Sequence, residues 1–263
     1  MTINTNTERE AFLKKAKQGV KQALSRRDLS IMQAVRSIDD LDQAKNLLYT
    51  RVMEWFRLNF PEVDIQNEET FCKVVATFGK KENFEFNTLA EVCDEVKAAE
   101  MIERAEHSFG ANLTDEDTEA LKVLAASAYA TFETRRQIEK NTEKAVKETL
   151  PNLAYLIEPL LAARLVTLGG GLERLAKTPS STIQLLGAEK ALFKHLRRGS
   201  KPPKHGILFQ SPMVRGAKAG HAGQIARTLA GKLALAARAD FYTGNFIAEK
   251  LKKSLDKRIS EIK

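Results

Sequence analysis

An all-α fold is predicted for this chain of 263 residues: a long antiparallel coiled coil with a helical tip, followed by a compact α-helical unit. Three observations predict it. Two long stretches carry apolar residues at spacings of three and four, the pattern of an amphipathic helix. No segment shows the period-two alternation of a half-exposed strand. Six of the seven prolines lie between Pro151 and Pro212 and eleven of the fourteen glycines at or after Gly169, so the earlier sequence can run as uninterrupted helix.

The first long helix is expected from Asp28 to Phe60, where Ile31, Val35, Ile38, Leu41, Ala44, Leu48, Val52 and Trp55 recur on one face and Pro61 ends the run. At 1.5 Å per residue it would extend about 48 Å, too long for an ordinary small domain. Its mate starts at Thr114, followed by acid at Asp115, Glu116 and Asp117, as suits a capped N-terminus. It continues through Leu121, Leu124, Ala128, Phe132, Ile138, Ala145 and Val146 to Leu150, and Pro151 stops it. Shorter helical patterns at 69–78 and 88–106 lie between them. Two long amphipathic helices joined by a compact insertion predict the coiled coil, with a globular bundle as the alternative. Val35, Ile38, Leu48, Leu124, Phe132 and Ile138 are the candidate seam residues for pairing with a second copy.

After Pro151 a second unit is expected. The apolar run 153–168 predicts one helix, broken by Gly169-Gly170-Gly171. A glycine triplet before a helix can cradle phosphate, but these fit neither G-x-G-x-x-G nor G-x-x-x-x-G-K-[ST], and a tight turn between packed helices is the better reading. The Ala-rich stretch 224–239 permits close helix packing. Residues 245–263 place Ile247, Leu251, Leu255, Ile259 and Ile262 on one face and lysines on the other. The predicted divisions are 1–27, an N-terminal helical segment; 28–150, the coiled coil with its insertion; 151–244, the compact unit; and 245–263, a basic C-terminal helix.

The net charge is +8, unevenly placed. From Gly187 onward 17 Lys/Arg face 5 Asp/Glu, a balance of +12, while the first 186 residues hold 25 against 29, a balance of −4. Segregation of this kind suggests a polyanionic partner, most simply nucleic acid. Other classes lack support. His107, His195, His205 and His221 have no metal-ligand spacing, no Ser/His/Asp constellation is present, and neither a catalytic residue, a metal nor a cofactor is assigned. Cys72 and Cys93 are the only cysteines and form no C-x-x-C, which predicts two reduced thiols. With no apolar run of 18 residues and no basic-then-apolar N-terminus, neither membrane association nor export is expected.

The segment STIQLLGAEKALFKHLRRGSKPPKHG, residues 181–206, changes from apolar to basic within 26 positions. A helix is expected to start at Gly187, so that first-turn N–H groups at Gly187 and Ala188 can meet phosphate. Lys190 and Lys194 are four apart and share a face. His195, Arg197, Arg198, Lys201 and Lys204 extend the positive surface into the following turn, and Lys218 and Arg227 add to it. Such contacts position a backbone rather than read bases. Glu189 is expected to cap or to orient a lysine, and Leu192 and Phe193 fit either a core or the end of a duplex.

Taken together, GGLERLAKTPSSTIQLLGAEKALFKHLRRGSKPPKHGILFQSP and GQIARTLAGKLALAARADFYTG resemble the Nop domain, most closely that of the archaeal Nop family of box C/D guide ribonucleoproteins. The stretch RRDLSIMQAVRSIDDLDQAKNLLYTRVMEWFRLNFPE is similar to the first coiled-coil helix of the same family, so the resemblance spans residues 25–244. It implies an RNA-binding scaffold in place of an enzyme. The implied partners are box C/D guide RNA with a kink-turn, a ribosomal-type kink-turn protein already bound to it, and a second copy of the chain through the coiled coil. The particle so built supports 2′-O-ribose methylation of RNA. In the family an additional N-terminal domain docks fibrillarin, the methyltransferase, which makes fibrillarin a possible partner; that only 1–27 precede the coiled coil counts against direct docking. Gln210 fits the archaeal pattern, whereas the splicing-type relative tends to have histidine there. The segment 213–222 (MVRGAKAGHA) departs from the family, in which aromatic residues are expected. An archaeal cytoplasmic location follows from the resemblance and the lack of a targeting signal. A helical protein–protein adaptor and a pre-mRNA-splicing-type Nop protein are the alternatives.

Overall fold

The computed structural model describes residues 5–218 and 220–262, and every regular element among them is helical. None of these helices is long and apolar enough to cross a membrane. The chain forms two compact units, Ser37–Ile138 and, from its two ends, Met1–Arg36 with Glu139–Lys263. This division differs from the sequence-based boundaries at 28 and 150. It cuts through two long helices, α2 (Arg27–Asn59) and α6 (Asp115–Thr149), each of which contributes apolar residues to both cores.

In the Ser37–Ile138 unit, α2 and α6 run antiparallel. Arg135 Nε donates to Asp42 Oδ1 at 2.6 Å, and Lys45 Nζ lies 5.2 Å from the centre of the Phe132 ring. Between them α3 (Glu68–Phe78), α4 (Phe86–Cys93) and α5 (Glu95–Glu106) close a core rich in phenylalanine. Phe56 meets Phe60 and Phe71 edge-on at 6.3 and 5.7 Å, and Phe78 meets Phe84 at 5.3 Å, the arrangement favoured by the ring quadrupole. The single helix expected over 88–106 is two. Asp94 adopts φ +119° and its carboxylate accepts from the Lys97 N–H at 2.9 Å, so it caps α5 where it would otherwise continue α4. Buried Lys81 donates to Ser108 Oγ and the Gly110 carbonyl, and Asn59 accepts from the Lys81 N–H. Burial raises the Cys72 thiol to about 12, which leaves it protonated and unreactive.

Two of the six seam residues need correction. Val35 and Ile38 are already buried within the single chain, at 1% and 0% exposure. They have no surface to offer a second copy, because the protomer's own helices fill the apolar spacing. Leu48, Leu124, Phe132 and Ile138 are half-buried.

In the unit made by the chain ends, α1 (Thr5–Leu24) precedes α2, and α7 (Pro151–Leu156), α8 (Pro159–Gly169), α9 (Leu172–Lys177), α10 (Ser180–Leu185), α11 (Glu189–Arg198), α12 (Pro212–Arg215), α13 (Ala222–Arg238) and α14 (Ala248–Ile262) follow α6. The apolar run expected as one helix over 153–168 breaks at Glu158–Pro159, since proline removes an N–H and clashes with the preceding turn. The glycine triplet is a turn: Gly170 caps α8, and Asp28 accepts from the Leu172 N–H at 2.8 Å as α9 begins. Beside it Arg26 bonds both Asp28 and Glu173. At the centre lies α13, whose Ile225, Leu229, Leu233 and five buried alanines let α10 and α14 approach closely. Leu251, Leu255 and Ile259 of α14 are buried in this same core, so the C-terminal helix is no separate appendage. Asp240 accepts from the N–H groups of Asn152 and Leu153 and from Asn152 Nδ2, tying the end of α13 to the start of α7.

Candidate nucleic-acid interface

The segment from α10 to α13 is held from within by one side chain. Gln184, buried at the end of α10, donates through Nε2 to the Lys204 carbonyl at 2.7 Å, and its own carbonyl accepts from the Gly206 N–H at 2.9 Å. Ile207 N–H adds a bond to the Leu186 carbonyl at 2.7 Å. A Cβ at Gly206 would lie 1.9 Å from the Leu186 oxygen, so only glycine lets the two backbones meet. The basic loop 199–206 is thus fastened at its end, and α11 stands between two fixed points.

Helix α11 itself has no buried residue. Its apolar-then-basic sequence gives Lys190, Lys194, Arg197 and Arg198 one shallow groove of about 380 Å³ around Phe193, which is 58% exposed. Phe193 therefore belongs to the surface and not the core, while Leu192 is half-buried. Gly199 ends the helix in the left-handed conformation, and His195 Nδ1 bonds the Ser200 carbonyl just beyond it. His195 fixes the turn where the basic run leaves the helix; it does not line the groove.

The expected start at Gly187 is corrected. The helix begins at Glu189, and the Gly187 N–H donates to Glu189 Oε1 at 2.7 Å. Glu189 thus holds the N–H of the glycine before the helix, and no side chain caps α11 itself. Gly187 has φ +83°, so glycine serves as the hinge from α10 into α11. Neither Gly187 nor Ala188 lines the groove around Phe193.

A second groove, of about 480 Å³, gathers Lys201 and Lys204 from the loop with Arg227 and Gln224 from α13, floored by Pro202, Pro203 and Gln184. Of the predicted residues, seven thus fall into two adjoining sets along the chain: Lys190, Lys194, Arg197 and Arg198, then Lys201, Lys204 and Arg227. None of the seven forms an ion pair among the described residues. Gln210 stands apart, accepting from Arg164 Nη1 at 3.3 Å. Lys218 is exposed on the loop before α13 and lines neither groove; Ala219, within the unusual stretch 213–222, lies outside the described residues.

Sequence reasoning missed three groups. Gln184 was hidden in an apolar run, and only its bonds reveal that it orders the loop. Gln224 lies three positions before Arg227, a same-face spacing that was available. His205 stacks on Phe209 with centroids 4.5 Å apart and planes 12° from parallel, a contact made by a short helical turn that periodicity does not predict. Among the described residues no group of His, Cys, Asp or Glu could hold a metal ion.

Comparison with known proteins assigns this arrangement. Residues 37–261 match the family profile Nop, described as "snoRNA binding domain, fibrillarin". The chain belongs to the Nop family. An uncharacterised NOP5 family protein of Methanocaldococcus jannaschii is 42% identical over 249 residues, 94% of this chain and 60% of the relative. Nucleolar protein 58 of Sclerotinia sclerotiorum is 36% identical over 81% of this chain and 38% of its own length. The chain thus spans three fifths or less of these Nop relatives. In fold it is similar to a chain in the crystal structure of a fibrillarin/Nop5p complex, with a TM-score of 0.59 and 21% identity, covering 100% of this chain and 81% of that one. The family match takes in both grooves.

Proposed function

We propose that the chain is a non-catalytic, RNA-binding scaffold of a box C/D guide ribonucleoprotein. In this reading it recognises kink-turn RNA together with a ribosomal-type kink-turn protein, and the assembled particle supports 2′-O-methylation carried out by another subunit. The observation that carries the proposal is the pair of basic grooves on α11, the loop 199–206 and α13, whose seven cations form no ion pair among the described residues. Unpaired lysines and arginines on an ordered backbone suit a phosphate track, and Phe193 adds a face on which an unpaired base or a duplex end can rest. The kink-turn RNA, the partner protein, fibrillarin as a possible partner and pairing of two copies along the long helices come from the family resemblance.

The test is a mobility-shift titration with box C/D RNA, alone and with the kink-turn protein bound. Tight binding only to the binary complex is expected. Equal affinity for bare RNA and the complex counts against ordered assembly, and retention of a protein partner after nuclease digestion, without RNA binding, indicates the adaptor instead.

A further inference from the structure

The two ends of the charge distribution suggest a contact that RNA binding does not explain. We propose that α1 of one copy docks into an acid-rimmed groove on the Ser37–Ile138 unit of a second copy. The inference stands apart from the RNA reading and uses neither basic groove.

Helix α1 is amphipathic, and every one of its described side chains is exposed. Phe12, Leu13, Val20 and Leu24 are all exposed, and at 100° per residue they fall within a stripe about 120° wide that also holds Arg9, with Lys17 at its edge and Lys14 and Lys21 beyond it. A stripe of that width ordinarily faces a core. Here its described residues, from Phe12 to Leu24, meet solvent.

The complementary surface has the opposite charge. The Ser37–Ile138 unit holds 21 Asp/Glu against 11 Lys/Arg, a balance of −10. On it lies a groove of about 300 Å³ whose floor is Phe84, Ile102 and Ala105 and whose rim carries Glu82 and Glu106, with Lys81 at one end. That same Lys81 fastens the adjoining loop, donating to Ser108 Oγ at 3.1 Å and to the Gly110 carbonyl at 3.0 Å. Glu62 accepts from Ser108 Oγ and the Phe109 N–H. The clamped loop carries Phe109 at 84% exposure. An aromatic anchor on an ordered backbone loses little conformational freedom on binding.

Charge decides the occupant. RNA is repelled by a unit of −10 and cannot cover the apolar stripe of α1. A lipid surface could take α1 but leaves the acidic groove empty. A second copy supplies a basic amphipathic helix for the groove and a groove for the helix, and the reciprocal contact closes a two-fold dimer.

Sedimentation velocity of the full chain over a concentration series, at low and high salt, tests this. Salt-sensitive self-association is expected. Lys14→Glu/Lys17→Glu/Lys21→Glu should weaken it at least about tenfold, as should Glu82→Lys/Glu106→Lys, because facing charges become like charges. Mixing or combining the two sets should restore association to within about threefold of wild type, which a folding defect could not produce. Pairing along the long helices alone would leave every variant as associated as wild type, and that result overturns the proposal. So does a chain monomeric at all concentrations, or failure of the charge exchange to restore binding. Vesicles with and without anionic lipid supply the last arm: α1 binding to anionic vesicles more tightly than the chain binds itself also overturns it.

Discussion

The Ser37–Ile138 unit and the unit built from the chain ends differ in how their polar groups are used. In the first, acids outnumber bases by 21 to 11, and many polar groups are tied to protein partners: Asn59 to Glu82 and Ala111, Lys81 to Ser108 and Gly110, Lys80 to Asp115. In the second, bases outnumber acids by 31 to 13, and seven of the cations on α11, the following loop and α13 form no ion pair among the described residues. The cores differ as well. Interlocked phenylalanines fill the acidic unit, whereas alanines let helices come close in the basic one. One unit uses several polar groups to fasten its own loops and carries excess negative charge; the other leaves positive charge unpaired on an ordered backbone and is suited to hold an anion.

Removing Phe56 is the strongest way to break this contrast. Phe56→Ala opens a cavity among Phe60, Phe71 and Phe84 and should cost about 3–5 kcal/mol. Chemical denaturation should then show an early transition in the acidic unit, with RNA binding by the other unit retained below it. Loss of both in one step would mean that the units do not unfold independently.

Reversing charge on α11 should have the next largest effect. Both lysines are exposed, so Lys190→Glu with Lys194→Glu should leave the circular dichroism spectrum unchanged while weakening binding to the RNA–protein complex by about a hundredfold or more. The log–log salt slope should flatten by about 1.8 if two duplex phosphates lose their contacts. Wild-type binding by this variant would make α11 a packing element.

Asp28 sharpens the comparison inside the basic unit, since its carboxylate is one that the fold uses for itself. Burial works to raise its pKa, but the bonds from Arg26 and the Leu172 N–H together bring it below the ordinary carboxylate value. A lowered folded pKa means that the stabilisation is present above the unfolded pKa and is lost as pH falls through the folded one. Asp28→Ala should therefore cost about 2 kcal/mol near neutrality, and denaturation curves of mutant and wild type should converge in acid. Asp240 has the opposite sign: burial, its largest influence, raises its pKa, so its favourable contribution belongs to low pH and fades as pH rises through the raised value.

The smallest effect is expected at Arg51, paired with Glu54 on an exposed face of α2. Arg51→Glu should change stability by less than about 1 kcal/mol and leave RNA affinity unaltered. Lys45, on the same helix, is placed differently. It contacts Asp42, Glu68 and the Phe132 ring, so its reversal disturbs the helix pair itself.

The long helices were legible because three-and-four periodicity persists over nine turns in Arg27–Asn59, and prolines at 61 and 151 mark their ends. The basic residues of the candidate interface were legible because charge density is a property of composition. Breaks at Asp94 and Pro159 were missed for different reasons. Pro159 was in plain view within an apolar run, while Asp94 breaks a helix only because its side chain captures the Lys97 N–H. The start of α11 was placed two residues early, since a glycine can either open a helix or hinge the chain before it, and the bond to Glu189 decides which.

Sequence alone determined the helical class, the family and the charge segregation, because periodicity, motif and composition are local quantities that survive without a fold. It could not determine which apolar faces remain uncovered. Val35 and Phe193 both occupy amphipathic helices, yet one is buried in the protomer and the other stands at 58% exposure. Nor could it say that Gln184 holds the basic loop, or that the division between units falls within two continuous helices. Those outcomes depend on which distant segments meet, and burial and hydrogen-bond satisfaction are settled only by that meeting.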